Sequence, residues 1–253
     1  MPNGKSTFSA FDQGAVPTIA CFVDHTTRTP LGVKLDELVA ALQVYVDEHV
    51  APVWGTPARL VQTNGFVKGA WAIVFLDDAD QKGALAYHDL TEEGLRLSKV
   101  FVRTTLNNGD SVSVSASHEL VEMLVDPAIN MMTTGPDIET AYGYESADPV
   151  EEKAFDIGGI SMSDFVYPSY FEALRAPGST RFDHLNVVRR PFEILPGGYQ
   201  IIFQDGHWGQ VFGSASKGQR FSREDRRGHR SEARKERELM RASTSEIARI
   251  QSH

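Results

Sequence analysis

The stretch SVSVSASHELVEMLVDP, residues 111–127, places His118, Glu119 and Glu122 together in a segment of helical pattern. On a helix, residues four apart share a face, so His118 and Glu122 point to one spot while Glu119 stands to the side. An imidazole and a carboxylate so arranged can grip a divalent ion, and the intervening glutamate can serve as a base toward a water that the ion activates. The competing reading is an amphipathic helix whose acids face water. The two differ in where these side chains end up, which depends on the elements around them.

The motif helix has clear bounds. Asn107-Asn108-Gly109-Asp110 reads as a turn, and Asp110, Ser111 or Ser113 is placed to cap the helix. Pro127 disfavours helical geometry at Asp126, so the last regular turn ends near Val125. Leu120, Val121, Met123, Leu124 and Val125 supply its apolar surface.

Upstream, Pro17 to Val23 reads as a strand and 24–34 as a loop. From Leu35, the apolar positions Leu38, Val39, Leu42, Val46 and Val50 follow helical spacing, and Asp36 and Glu37 sit where the helix dipole favours acids. Ala58 to Gln62, Ala70 to Leu76 and Leu97 to Arg103 read as strands, with GALAYHDLTEEG between the last two as a shorter extended segment. Residues 128–212, broken by Gly and Pro, read mainly as loops with a few short elements, Tyr199 to Phe203 among them. Asp205-Gly206 reads as a hairpin turn leading into a strand through Phe212.

With these elements in place, the chain resembles the zincin metallopeptidase superfamily, whose motif is His-Glu-x-x-His on a helix. His118-Glu119 matches its first two residues, and Glu122 replaces the second histidine. The early helix, the mixed strand set and GALAYHD before the motif helix extend the likeness over residues 17–127. The resemblance implies a zincin-like α+β fold with a mixed sheet, an early helix, a motif helix and a loop-rich C-terminal half. It also implies a metal, zinc first, on His118 and Glu122, with a third ligand from YGYESADP. Glu145 is the expected third ligand, and Asp148 and His184 are the alternatives. In another branch a methionine turn underlies the metal, and ISMSDFVYPSYF offers Met162, Tyr167, Pro168 and Tyr170. The implied activity is hydrolysis of a peptide or protein substrate, with Glu119 as general base and Tyr167 or His184 steadying the oxyanion. The second carboxylate weakens the metal's pull on water and invites harder cations.

The remaining candidates have plainer readings. Of the other histidines, only His88 and His184 lie in segments that could approach the motif, and a surface or hydrogen-bonded role is expected of each. Glu145, Asp148, Glu151 and Glu152 lack the loop spacing of a calcium-binding hand and read as a solvated loop. Gly158-Gly159 and Gly197-Gly198 lack the strand-to-helix context of a phosphate loop, so no nucleotide cofactor is expected. Cys21, the one cysteine, is expected to pack as an apolar group.

Charge separates the chain into a body and a tail. The net charge is −9, yet residues 214–253 hold 11 basic against 6 acidic residues, a local +5, leaving the first 213 at −14. Three parts are expected: a polar leader (1–16), a domain (17–213, with halves 17–127 and 128–213) and the charged tail (214–253). Interleaved acids and the lack of aromatic stacking residues in SREDRRGHRSEARKERELMR, 222–241, argue against nucleic acid for the tail and favour a protein contact, either a second copy or a larger assembly. No run approaches the roughly 20 apolar residues of a membrane span, and the N-terminus lacks a signal-peptide core. The expected setting is therefore the cytoplasm or a particle assembled there. Two functions follow: a divergent metal-dependent peptidase, or a zincin-like structural component without turnover, a virion component for example, that docks through 214–253.

Overall fold

The computed structural model describes residues 16–80, 84–91 and 94–214. The leader, apart from Val16, and the tail beyond Ser214, including the helix read at Glu232 to Met240, lie outside the described residues.

The N-terminal half is a five-stranded mixed sheet. Its strands are β1 (Thr18–Val23), β2 (Arg59–Gln62), β3 (Trp71–Leu76), β4 (Ala86–Leu90) and β5 (Arg96–Phe101), in the order β2-β1-β3-β5-β4. All neighbours run parallel except β4, which pairs antiparallel to β5 at one edge. Strands buried on both faces read as continuous apolar runs, as TIACFV and WAIVFL do. Ile19, Cys21, Ile73, Phe75 and Val100 join the helices in the main core, and Phe22, Ala72, Val74, Leu97 and Phe101 form a second core on the opposite face. The alternation follows from the two-residue period of a strand. Cys21 lies in that main core, where burial lifts its thiol to about 12.

The first helix is α1 (Leu35–Val44). It continues through a wider π turn at Tyr45–Val50 into α2 (Ala51–Trp54) and ends at Gly55, whose φ of 69° is left-handed. Pro52 has no N–H and its ring would crowd the carbonyl of Glu48, so the widened turn relieves a clash.

One boundary differs from the reading above. The strand expected over Leu97 to Arg103 stops at Phe101, and Val102–Asn107 forms a short helix, α3. β-branched Val102, Thr104 and Thr105 suggest a strand, but a tertiary contact prevails. Arg103 turns across the end of β3, its guanidinium 2.8 Å from both Asp77 and Asp78, while its N–H donates to the Asp77 carbonyl.

The motif helix, α4 (Val112–Val125), ends where Pro127 requires. Its serines do something other than cap. Among the described residues, no side chain caps the N-terminus. Ser113 donates to the Ser161 carbonyl at 2.6 Å, and Ser117 accepts the Ser163 N–H at 2.8 Å. The small hydroxyls are a docking strip for a strand of the second half.

That half is more structured than its Gly and Pro content suggests. It holds β6 (Met132–Thr134), β7 (Ala141–Gly143), β8 (Ala154–Ile157), β9 (Ile160–Ser163), β10 (Tyr199–Gln204) and β11 (His207–Phe212). These form a four-stranded antiparallel sheet, β11-β10-β7-β6, and a hairpin, β8-β9. The chain is thus α+β, with several sheets and few helices. Tyr45 ties the halves together by donating to the Ser163 carbonyl at 3.0 Å. Among the described residues, no helix is long and apolar enough to cross a membrane.

Candidate metal centre

Every residue of α4 except Val114 is buried. His118, Glu119 and Glu122 are 9%, 7% and 3% exposed, so the acids do not face bulk water. Burying carboxylates without compensating charge or hydrogen bonds is costly. Their partners are therefore the informative part of the site.

Two groups converge. In the first, His118 Nε2 lies 3.1 Å from Asp148 Oδ1 and 3.6 Å from Glu122 Oε2. In the second, His88 Nδ1 lies 3.1 Å from Glu119 Oε2 and 3.6 Å from the same Glu122 oxygen. Each group offers three ligand atoms within 4.8 Å of one another. Ligands held about 2.0–2.2 Å from one ion at tetrahedral or octahedral angles stand roughly 2.9–3.6 Å apart, so the spacing suits a divalent cation. The other Glu122 oxygen accepts the Ala147 N–H at 3.2 Å, which fixes its carboxylate.

The elements explain the convergence. His118, Glu119 and Glu122 come from α4, and His88 comes from the edge strand β4. Asp148 opens a 3-10 turn, Asp148–Val150, that reaches in from the second half. This turn is held from behind: Leu195 N–H donates to the Pro149 carbonyl at 3.0 Å, and Gly198 lies so close that a Cβ there would strike the Asp148 and Pro149 carbonyls. Gly198 thus serves packing at the site's rear.

The electrostatics of His118 follow from these neighbours. Burial opposes its charge, but the bond to Asp148 and the carboxylates of Glu119, Asp148 and Glu151 outweigh it and raise the imidazole to about 9. Without a metal, a proton on His118 therefore partly neutralises the buried acids. A cation would take that proton's place.

The expected residues divide. His118 and Glu122 meet, with Glu119 beside them. The third oxygen in the His118 group is from Asp148, one of the alternatives; Glu145, the residue first expected there, is buried at 3% but belongs to neither group. The solvated-loop reading fails for both Glu145 and Asp148, which are buried, although Glu152 is exposed. His88, expected in a surface or hydrogen-bonded role, is buried and hydrogen-bonded to Glu119, which places it among the cluster's side chains. Its nearness in sequence to the motif helix was the available signal, and the antiparallel turn of β4 supplies the rest.

Tyr167 and His184 form a separate constellation. The Tyr167 hydroxyl lies 3.2 Å from His184 Nδ1, and His184 Nε2 lies 3.1 Å from His49 Nδ1. Burial first, then the charges of His49 and Arg181, lowers His184 to about 4, so it is neutral at ordinary pH. Neither residue belongs to a ligand group. Met162 lies on β9, inside the main core, and Tyr170 donates to Gln200 Oε1 at 3.1 Å.

No family model, curated protein or solved structure matches the chain.

Proposed function

We propose that the protein is a metal-dependent hydrolase of zincin-like architecture, acting on peptide bonds, with His118, Glu122 and Asp148 as the cation's ligands. The observation that carries this reading is the convergence of one imidazole and two carboxylates, all buried, at spacings a single ion can bridge. The early helix, mixed sheet and motif helix present in residues 17–127 support the architecture. Bound there, a divalent ion, zinc first, would polarise a water and the carbonyl of the bond to be cut.

The chain's own residues divide the remaining work. His118 must release its proton to become a ligand, and Asp148 gains a cation in exchange. Glu122 is held by the Ala147 N–H so that its other oxygen stays aimed inward. Glu119 acts as general base, its carboxylate oriented by His88 at 3.1 Å.

The test compares metal-loaded wild-type protein with Glu119→Gln on a mixed peptide substrate. With one equivalent of metal in each protein, unchanged occupancy of the His118 position with hydrolysis reduced by roughly 10²–10⁴-fold is expected for loss of a general base. Equal activity in the two proteins contradicts the reading.

A second reading rests on charge. The +5 tail complements the −14 body, which favours an assembly protein docking through 214–253 onto another copy. Its mark is a larger solution size for the full chain than for one ending at Gly213, and equal sizes count against it.

A further inference from the structure

The two ligand groups are built alike. In each, one imidazole nitrogen stands 3.1 Å from a carboxylate oxygen of its own and 3.6 Å from Oε2 of Glu122. Glu122 Oε2 is therefore equally far from His88 Nδ1 and His118 Nε2 and common to both groups. His88 is 8% exposed, so this is a buried imidazole aimed at buried carboxylates and not a patch of surface acids. We propose that His88, Glu119 and Glu122 form a second divalent-cation position, making a two-ion centre bridged by the Glu122 carboxylate.

Charge and tautomer rank the two positions. Three buried carboxylates, Glu119, Glu122 and Asp148, surround the cluster, and one divalent ion balances only two of them. A second divalent ion meets a remaining charge of only −1 and would carry the cluster to +1, so it binds at a disadvantage. His88 Nε2 is buried and has no hydrogen-bond partner among the described residues. An ion on Nδ1 moves the ring proton to Nε2 and strands it as an unsatisfied donor, whereas ligating histidines ordinarily pass that proton to an acceptor. The second ion is accordingly the weaker one. Resting on the hydrolase reading, one consequence follows: with the first position alone filled, Glu119 is available as base, and at full occupancy its Oε2 is a ligand, so turnover falls.

The experiment titrates the metal-free full chain with Co²⁺, followed by visible absorption and by metal analysis after desalting. Two sequential equivalents are expected, the second weaker by roughly 10–100-fold, the cost of a missing outer partner. His88→Leu and His88→Phe, each checked for native thermal unfolding, should retain only the tight equivalent. A single equivalent at saturation of the wild type overturns the proposal whatever the variants do, as does retention of two equivalents in a folded His88 variant. The two readings separate cleanly. One equivalent lost in His118→Leu but kept in His88→Leu removes the second position and leaves the first. One equivalent with the opposite pattern removes the first and leaves the second.

Discussion

The two halves satisfy their backbones in different ways. In residues 17–127, strand ladders and helices take up most N–H groups. In residues 128–214 the elements are short, and buried aspartates, with Asp126 at the junction of the halves, supply acceptors to their N–H groups. Asp126 receives the N–H groups of Asn130 and Met131, Asp164 those of Phe165 and Leu185, and Asp183 those of Val187 and Val188. A buried N–H must find a partner, and a carboxylate is a strong one. Asp148 departs from this pattern, because its carboxylate turns to His118. The difference teaches how to sort the loop acids: those that cap backbone donors hold the fold, and the one that faces an imidazole is available to a cation.

Substitutions can break or sharpen that division. The largest expected effect is on the N-terminal half, where Leu120, fully buried in the main core, should cost about 2–5 kcal/mol on Leu120→Ala in denaturant unfolding. A cost well under 1 kcal/mol would mean that α4 is not anchored by its apolar face. His118→Leu should next lower affinity for the first ion by more than about 100-fold, beyond the roughly 10–100-fold attached to supporting partners. In the wild type that affinity should climb with pH and level off near 9, because a proton competes for the same nitrogen. A flat profile from pH 6 to 9 contradicts the assignment.

Asp164 tests the fold-holding class. Burial first, then the neighbouring Asp183 carboxylate, raises it to about 8, above its ordinary 3.8. A group raised in the folded state contributes its full stability below the unfolded pKa and loses it as pH climbs through the folded one. The wild type should thus lose stability between pH 4 and 8, by at most about 1.4 kcal/mol per pH unit from this group. Asp164→Asn should flatten that slope, and an unchanged slope would assign it elsewhere. The smallest effect is expected at Gly198, where a Cβ must displace the Asp148 turn. Gly198→Ala should weaken the first ion by roughly tenfold, as loss of a supporting partner does. Gly209→Ala, whose Cβ meets only an ordinary contact with Ile202, should leave it unchanged.

Much of the N-terminal half was legible because its signals are local. The helix from Leu35, the buried strands and the stop at Pro127 all follow from periodicity and proline chemistry. The boundary at Phe101 is not legible in the sequence, because Arg103 answers to Asp77 and Asp78, far away along the chain. Within the site, His118, Glu119 and Glu122 declare themselves by helical spacing. Asp148 was only one of several acids downstream, since which of them reaches α4 depends on the turn that Leu195 and Gly198 brace. His88 lacked any motif of its own, and its role arises from β4 running antiparallel beside β5. The serines of α4 misled in the opposite way: their types suit a cap, but their hydroxyls serve β9.

Anomalous diffraction from crystals of the protein loaded with one equivalent of zinc tests the central claim most directly. The account predicts a single strong peak about 2.0–2.2 Å from His118 Nε2 and from carboxylate oxygens of Glu122 and Asp148. A loaded crystal with its zinc elsewhere, and with His118 still bonded to Asp148, would contradict it.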